Sequence, residues 1–229
     1  MSASGKPLLF ETPWDKRIFG FDTYELGEAS EAALRATGDR RGHFTVRVDP
    51  LEDKALLGKF GFYYVDTLVQ PFAAPERILF HDDPAASVRL SEDSARLRDV
   101  ANGAFTFARF YKDRAIPRDL ANRRYQAWLE ELFSKGCVLD LLYGGETAGF
   151  LAFEKGKIIL HTLDERHRGR GLGKVLWSAA LRRMILDHPS EIVSSVSITN
   201  LAVMNLYVSL NFRFRNAKDV YHKSNGLPS

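Results

Sequence analysis

The chain has a single cysteine, Cys137, in 229 residues, which excludes an intrachain disulfide and a cysteine-rich zinc site. So little cysteine fits a reducing compartment. No apolar run approaches the roughly 18 residues that cross a bilayer, and the first residues carry no signal-peptide core. The expectation is a cytoplasmic protein with no membrane partner. A strong charge of one sign is lacking too, with 32 Lys and Arg against 29 Asp and Glu, a net +3. That mild basicity suits a polyanionic small ligand as well as it suits RNA. A basic run is missing, however, and the aromatic residues fall at core spacing, which argues against a nucleic-acid partner. No metal is expected. What remains, 45% hydrophobic and 27% charged residues, is ordinary globular usage in a chain long enough for one large core or two small ones.

Periodicity predicts an alternation of strands and helices. Strands are expected at Leu8 to Phe10, at Phe19 to Phe21 leading on to Thr23 to Leu26, at His43 to Val48 and at Phe62 to Val69. Helices are expected from Ser30 to Ala36 and from Leu51 to Phe60. The stretch from Pro71 to Ala86, rich in proline, alanine and aspartate, reads as a linker. Beyond it come a strand at Ser87 to Leu90, a helix from Ser91 through Phe105, a loop to Arg118 and a helix from Leu120 to Lys135. Three strands follow, Cys137 to Tyr143, Ala148 to Glu154 and Lys157 to Leu163, joined by glycine turns. A helix begins at Leu172. A strand from Ile192 to Ile198, a helix from Leu201 to Leu210 and a strand from Phe212 to His222 come next, with fraying expected after Ser224.

The most informative stretch is Arg168-Gly169-Arg170-Gly171-Leu172-Gly173-Lys174, between a strand and a helix start. The first N–H groups of a helix have no partner within it, its dipole is positive there, and glycine lets an anion approach without meeting a Cβ. Arg168, Arg170 and Lys174 add charge-assisted contacts. The stretch reads either as an anion cradle or as a glycine-rich surface turn with solvated cations. It is not a P-loop, because Arg168 occupies the first glycine position and Val175 the hydroxyl position. Nor is it a dinucleotide fingerprint, since its glycines are evenly spaced.

An ungapped alignment of Phe62 with Phe212 suggests an internal repeat. It sets Val46 and Val48 against Val196 and Ile198, Leu56 against Leu206, Leu57 against Tyr207, Pro50 against Asn200, and Gly61 against Asn211. Asparagine tolerates positive φ, so the last pair is conformationally reasonable.

Arg168, Gly171 and Gly173 fit the pattern Arg/Gln-x-x-Gly-x-Gly/Ala. After the next strand, the stretch from Asn200 to Phe212 fits Asn-x4-x-Leu-Tyr-x3-Gly-Phe, with Asn211 where glycine is usual. Together these resemble the GNAT superfamily of acetyl-CoA-dependent N-acyltransferases. The resemblance implies an α/β (α+β) fold with a mixed, mostly antiparallel central sheet flanked by helices. It places a catalytic domain at 87–229, preceded at 1–86 by a degenerate GNAT-like half and linker. More narrowly, the chain is similar to sugar-nucleotide acetyltransferases of the dTDP-fucosamine N-acetyltransferase group. That likeness rests on Trp14-Asp15, Phe19-Gly20, Ala104-Phe105, Arg109-Phe110, Tyr125 and Trp128. It implies an acceptor such as dTDP-4-amino-4,6-dideoxygalactose and a place in cell-surface polysaccharide biosynthesis. The alternative acceptors are a protein N-terminus, a lysine or another small amine. A basic RNA-binding module is the remote alternative, and a homodimer is left open.

The resemblance also implies roles. Acetyl-CoA would set its pyrophosphate on the N–H groups from Gly169 to Lys174, backbone N–H groups near Leu163 would polarise the thioester carbonyl, and Asn200 and Asn205 would hold the cofactor arm. Tyr207 would protonate the departing thiolate. With a phenol pKa of about 10 against about 8.5 for a thiol, full transfer is uphill by roughly 2 kcal/mol, so a strengthening hydrogen bond is the safer expectation. Arg109 and Tyr111 would reach the acceptor. His161, Glu154, Asp140 and His222 are candidates for the base by nearness in sequence alone.

Overall fold

The computed structural model describes residues 8–227. In chain order its elements are β1 (Leu9–Glu11), α1 (Pro13–Phe19), β2 (Thr23–Leu26), α2 (Glu31–Arg35), β3 (Gly42–Val48), α3 (Ala55–Lys59) and β4 (Tyr63–Ala73). They continue with β5 (Ala86–Leu90), α4 (Ser94–Ala101), α5 (Arg109–Lys112), α6 (Arg118–Ser134), β6 (Val138–Tyr143), β7 (Glu146–Glu154) and β8 (Lys157–Leu163). Then follow α7 (Gly173–Asp187), β9 (Ile192–Val193), β10 (Val196–Ser197), α8 (Leu201–Ser209) and β11 (Arg213–Asn225). As expected, the strands are mostly antiparallel and flanked by helices; the described parallel pairs are β2 with β3 and β8 with β9. No described helix is long and apolar enough to cross a membrane.

The chain forms two compact units, each from non-consecutive segments. The first takes residues up to Leu68, Phe107–Arg124 and the residues from Ala217 onward. Its strands run β1, β2, β3, β11, with β11 antiparallel to β3. One face of β3 presents Phe44, Val46 and Val48 to Leu34 of α2 and Leu57 of α3, which form the core of this unit. The second takes Val69–Thr106 and Tyr125–Asn216. Its strands run β9, β8, β7, β6, β5, and the end of β4 pairs with β9. Trp177, Leu176 and Leu181 of α7 pack with Tyr207 and Leu210 on the face made by Leu139, Leu141, Leu151 and Ile158.

Several expectations need correction. Phe19 closes a helix instead of opening a strand. Pro13 presets φ in the first turn of α1, and Gly20, at φ 78°, ends it in the left-handed region. Helix α3 starts at Ala55, not Leu51, because Asp49 and Asp53 side chains take the Leu51 and Ala55 N–H groups and turn the chain first. Helix α4 stops at Ala101, short of Phe105, and α5 lies in what reads as a loop. The apparent linker is pinned down: β4 runs through Pro71 to Ala73, Leu79 N–H bonds to Leu210 O, and His81 N–H bonds to Ser178 Oγ. Of the tail expected to fray after Ser224, Asn225 still pairs with Gly42, while Pro228 and Ser229 lie outside the described residues.

The three segments of the first unit meet at one carboxylate. Asp113, only 2% exposed, accepts on Oδ2 from His43 Nε2 at 2.8 Å and His222 Nδ1 at 2.6 Å. Its Oδ1 accepts from the Tyr63 hydroxyl at 2.8 Å and the Ala115 N–H at 2.9 Å. Two histidines and an aspartate suggest a metal, yet the geometry is that of a hydrogen-bonded hub. Four donors fill the carboxylate, and nitrogens around an ion at about 2.0–2.1 Å would stand farther from the oxygen than these do. A ligand histidine also uses its second nitrogen, whereas His222 Nε2 is buried without a partner.

The hub sets the acid stability. Burial opposes ionisation of Asp113, but hydrogen bonds from His222 and His43 outweigh it and hold the carboxyl below the usual carboxylate range. Burial pushes His222 down to about 3, only partly opposed by Asp113. A histidine whose folded pKa is depressed binds its proton more readily when unfolded, so stability falls as pH drops below about 6.5 and continues falling towards 3. Loss of the Asp113 carboxylate adds to this below about pH 4. The urea midpoint should therefore decline from pH 7 to pH 4, and His222→Gln should flatten the decline. Asp113→Asn, which sets an amide against donors, should cost about 3 kcal/mol at pH 7 in the same measurement.

Candidate active site

Strand β8 is the frame of the site. Its register against β7 runs Leu151 with His161 and Ala152 with Leu160, then jumps to Phe153 with Ile158, leaving Ile159 unpaired. This bulge puts Ile158 and His161, three residues apart, on the same face, towards α7 and α8. On its other edge β8 pairs with β9 only at Lys157 and Val193. The chain breaks at Ser194 and Ser195, and β10 joins β4 instead. The single strand expected from Ile192 to Ile198 is therefore two, with separate partners, and the edge of β8 lies open. Because Asp164 N–H bonds to Ala148 O across β7, the alternation of an antiparallel ladder turns the N–H groups of His161 and Leu163 towards that open edge.

The glycine turn follows at once. Arg168 folds back, its Nε donating to Leu163 O at 2.9 Å and its Nη2 to Thr162 Oγ1 at 3.3 Å. Asp164 anchors the approach by accepting from Arg96 at 2.5 Å and from the Arg166 N–H at 3.0 Å. Hydrogen bonds from Arg166 outweigh burial and hold its carboxyl well below the usual range. Gly169 and Gly171 lie at φ 69° and 73° with open space where a Cβ would be, so they serve the backbone turn. Gly173 serves packing, since a Cβ there would stand 3.3 Å from Leu206 of α8. Leu172 caps α7 with no side-chain bond, and no group among the described residues takes the N–H groups from Gly169 to Lys174. Arg168, Arg170 and Lys174 are exposed beside them.

Helix α8 supplies the rest. Asn200 is its N-cap, with Oδ1 accepting from the Val203 N–H at 3.3 Å, and Asn205 is exposed. Asn211 sits at φ 63° just past the helix, so it takes the left-handed turn where glycine is usual. Tyr207 is 0% exposed. Its hydroxyl lies 3.3 Å from His161 Nε2, and burial raises its pKa, with a hydrogen bond to Ser194 partly opposing. His161 stands edge-on to Trp177, 4.9 Å between ring centroids. Burial pushes its pKa down to about 4, so the imidazole is neutral at physiological pH.

The structure thus brings Leu163, Arg168 to Lys174, Asn200, Asn205 and Tyr207 into the second unit, whereas Arg109 and Tyr111 belong to the first. Arg109 lies over the Phe110 ring, and the Tyr111 hydroxyl donates to Asn122 Oδ1 at 2.8 Å. Of the four base candidates, Asp140 is buried against Arg89, Glu154 pairs with Lys135, and His222 belongs to the Asp113 hub. Only His161 stands with Tyr207. A cavity of about 270 Å³ opens beside the start of β8, lined by Trp128, Leu132, Lys135, Glu154, Ile159 and Ser195. Sequence reasoning missed Trp177, Ser194 and Gly149. The last is a glycine because a Cβ would come within 2.3 Å of Thr162 O, which closes β7 onto β8. An isolated glycine in a strand was the available signal.

Residues 105–212 match the family model described as "Acetyltransferase (GNAT) family". No curated protein matches the chain significantly. Among solved structures, a tandem GNAT protein from the clavulanic acid biosynthesis pathway is 14% identical with a TM-score of 0.54, covering 90% of this chain and 76% of that one. A GCN5-related N-acetyltransferase from Kribbella flavida is 11% identical with a TM-score of 0.56, covering 90% and 82%. A functionally unknown conserved protein from Staphylococcus epidermidis ATCC 12228 is 11% identical with a TM-score of 0.59, covering 98% and 94%. These likenesses establish a shared fold. Beside that shared fold, residues 105–212 are similar to the GNAT acetyltransferase family, a family of acyltransferases.

Proposed function

We propose that this protein moves an acetyl group from acetyl-CoA to the primary amine of a nucleotide-linked amino-deoxy sugar by direct attack. The observation that carries the cofactor part is the row of unpartnered N–H groups from Gly169 to Lys174 beside the open edge of β8. A pyrophosphate there meets a helix N-terminus and three cations. The thioester carbonyl would then lie where the N–H groups of His161 and Leu163 face outward. Asn200 keeps its amide nitrogen for the pantetheine arm while its oxygen caps α8. Tyr207 supplies a hydroxyl, but burial makes transfer of its proton costlier than the roughly 2 kcal/mol of an ordinary phenol.

The acceptor part rests on the Trp14-Asp15 and Arg109-Phe110 motifs and on a concentration of guanidinium groups in the first unit. Arg124 bonds to Asp15 at 2.9 Å and lies over the Trp14 and Phe110 rings. Arg47 is drawn down to about 10 by burial and then by the charge of Arg109. Crowded cations of this kind favour an anionic acceptor.

Thiol release should be seen with acetyl-CoA and sugar nucleotides that bear a free 3- or 4-amino group; turnover confined to peptides would overturn the acceptor assignment. Replacing both Arg170 and Lys174 by alanine should raise the CoA Kd by roughly tenfold at low salt, about 0.7 kcal/mol for each exposed cation, with a smaller effect at high salt. Gly171→Ala forces a left-handed residue at a cost of about 1–2 kcal/mol and should weaken CoA binding in calorimetry, whereas Gly171→Asn should do so less.

A further inference from the structure

The buried state of Tyr207 raises the question of which group meets the reacting atoms. Its side chain is wholly closed off, and its hydroxyl is already engaged by His161 and Ser194. His161 is half-buried. Its Nε2 faces Tyr207, while its Nδ1 makes no hydrogen bond among the described residues and is not among their buried polar atoms. That nitrogen therefore remains accessible. The bulge at Ile159 sets the ring on this face, and Trp177 packs edge-on against it. The other three base candidates, Asp140, Glu154 and His222, are held by Arg89, Lys135 and Asp113.

We propose that His161 is the catalytic residue of the acyl transfer, taking the proton from the attacking amine nitrogen at Nδ1 and delivering it to the departing sulfur, with Tyr207 as the positioning residue that holds Nε2. This rests on the acetyl-CoA reading above. The amine nitrogen forms the new bond to the thioester carbon, and the C–S bond breaks with its electron pair passing to sulfur. One proton leaves nitrogen for Nδ1 and then leaves Nδ1 for sulfur. The imidazole is neutral before and after, and no further reagent is consumed. The step uses the tautomer with the proton on Nε2, facing the Tyr207 oxygen at 3.3 Å, which leaves the Nδ1 lone pair free. A phenol oxygen accepting from Nε2–H stabilises the transient imidazolium, and the thiolate forming beside it does so further. Burial keeps the resting ring unprotonated, so the lone pair is available throughout the neutral range.

The assignment reverses the order of losses expected if Tyr207 itself protonated the sulfur. His161→Gln and His161→Asn should each lower kcat by roughly 100-fold or more without changing CoA affinity in calorimetry, which also reports that the fold is intact. Tyr207→Phe should cost less, about tenfold, because the ring stays in place and only the bond to Nε2 is lost. Wild type should show a normal solvent deuterium isotope effect on kcat that the His161 variants lose, a readout that a purely structural histidine would not move. Wild-type kcat in either His161 variant, or a larger loss in Tyr207→Phe than in His161→Gln, would overturn the proposal. Wild type that binds no CoA and releases no thiol with any amine would instead overturn the acetyl-CoA reading beneath it.

Discussion

The early parting of β9 from β8 is the constraint on which the site depends. One pair, Lys157 with Val193, holds the two strands together. After it the backbone groups on that edge of β8 have no strand to meet, and buried N–H groups left in that state are costly unless a ligand or water serves them. The gap is sustained from both sides. Ser194 and Ser195 interrupt the incoming strand so that β10 can join β4, and Gly149 lets β7 hold the other edge of β8 at close range. The glycine turn, the start of α7 and the buried face of α8 are all positioned by where this one strand ends.

The N–H row and the cations of the turn could be read from the sequence because they depend on local chemistry. Three alternating glycines between a strand and a helix start state their conformational need residue by residue, although one of them, Gly173, turned out to serve packing against Leu206. The pairing of His161 with Tyr207 could not be read in this way. Strict alternation groups His161 with Lys157, Ile159 and Leu163, and the bulge that re-aims it leaves no mark on composition. The run from Ile192 to Ile198 likewise reads as one strand, because periodicity reports which residues prefer an extended backbone and is silent on whether they share a partner. In the first unit, Phe19 looked like part of a strand because an aromatic on either side of a glycine suits both a strand end and a helix stop.

The first unit owes its coherence to a different device. Its segments are far apart in sequence, and each contributes to the Asp113 hub: His43 and Tyr63 from the first, Asp113 from the second, His222 from the third. A buried carboxylate with four donors gains little over an apolar core in net stability, since desolvation takes back most of the Coulomb energy. Its value lies in direction. Each donor has one allowed place, so the hub specifies how the segments register, in a way that Phe44 or Leu57 packing alone would leave looser.

The alignment of Phe62 with Phe212 gains physical content from these two units. In the first, Phe62 N–H bonds to Leu57 O at 2.9 Å, Gly61 N–H to Gly58 O at 3.0 Å, and Gly61 sits at φ 80°. In the second, Phe212 N–H bonds to Tyr207 O at 2.9 Å, Asn211 N–H to Val208 O at 3.0 Å, and Asn211 sits at φ 63°. The same helix end, left-handed turn and strand entry are thus built twice, around a buried Leu57 in one case and a buried Tyr207 in the other. Nothing in that frame requires a hydroxyl, because leucine fills the equivalent place with the hydrogen bonds unchanged. What sets Tyr207 apart is its surroundings, a neutral imidazole within 3.3 Å on a strand whose edge is open. The frame supplies a position, and its polar surroundings come from what β8 brings to it.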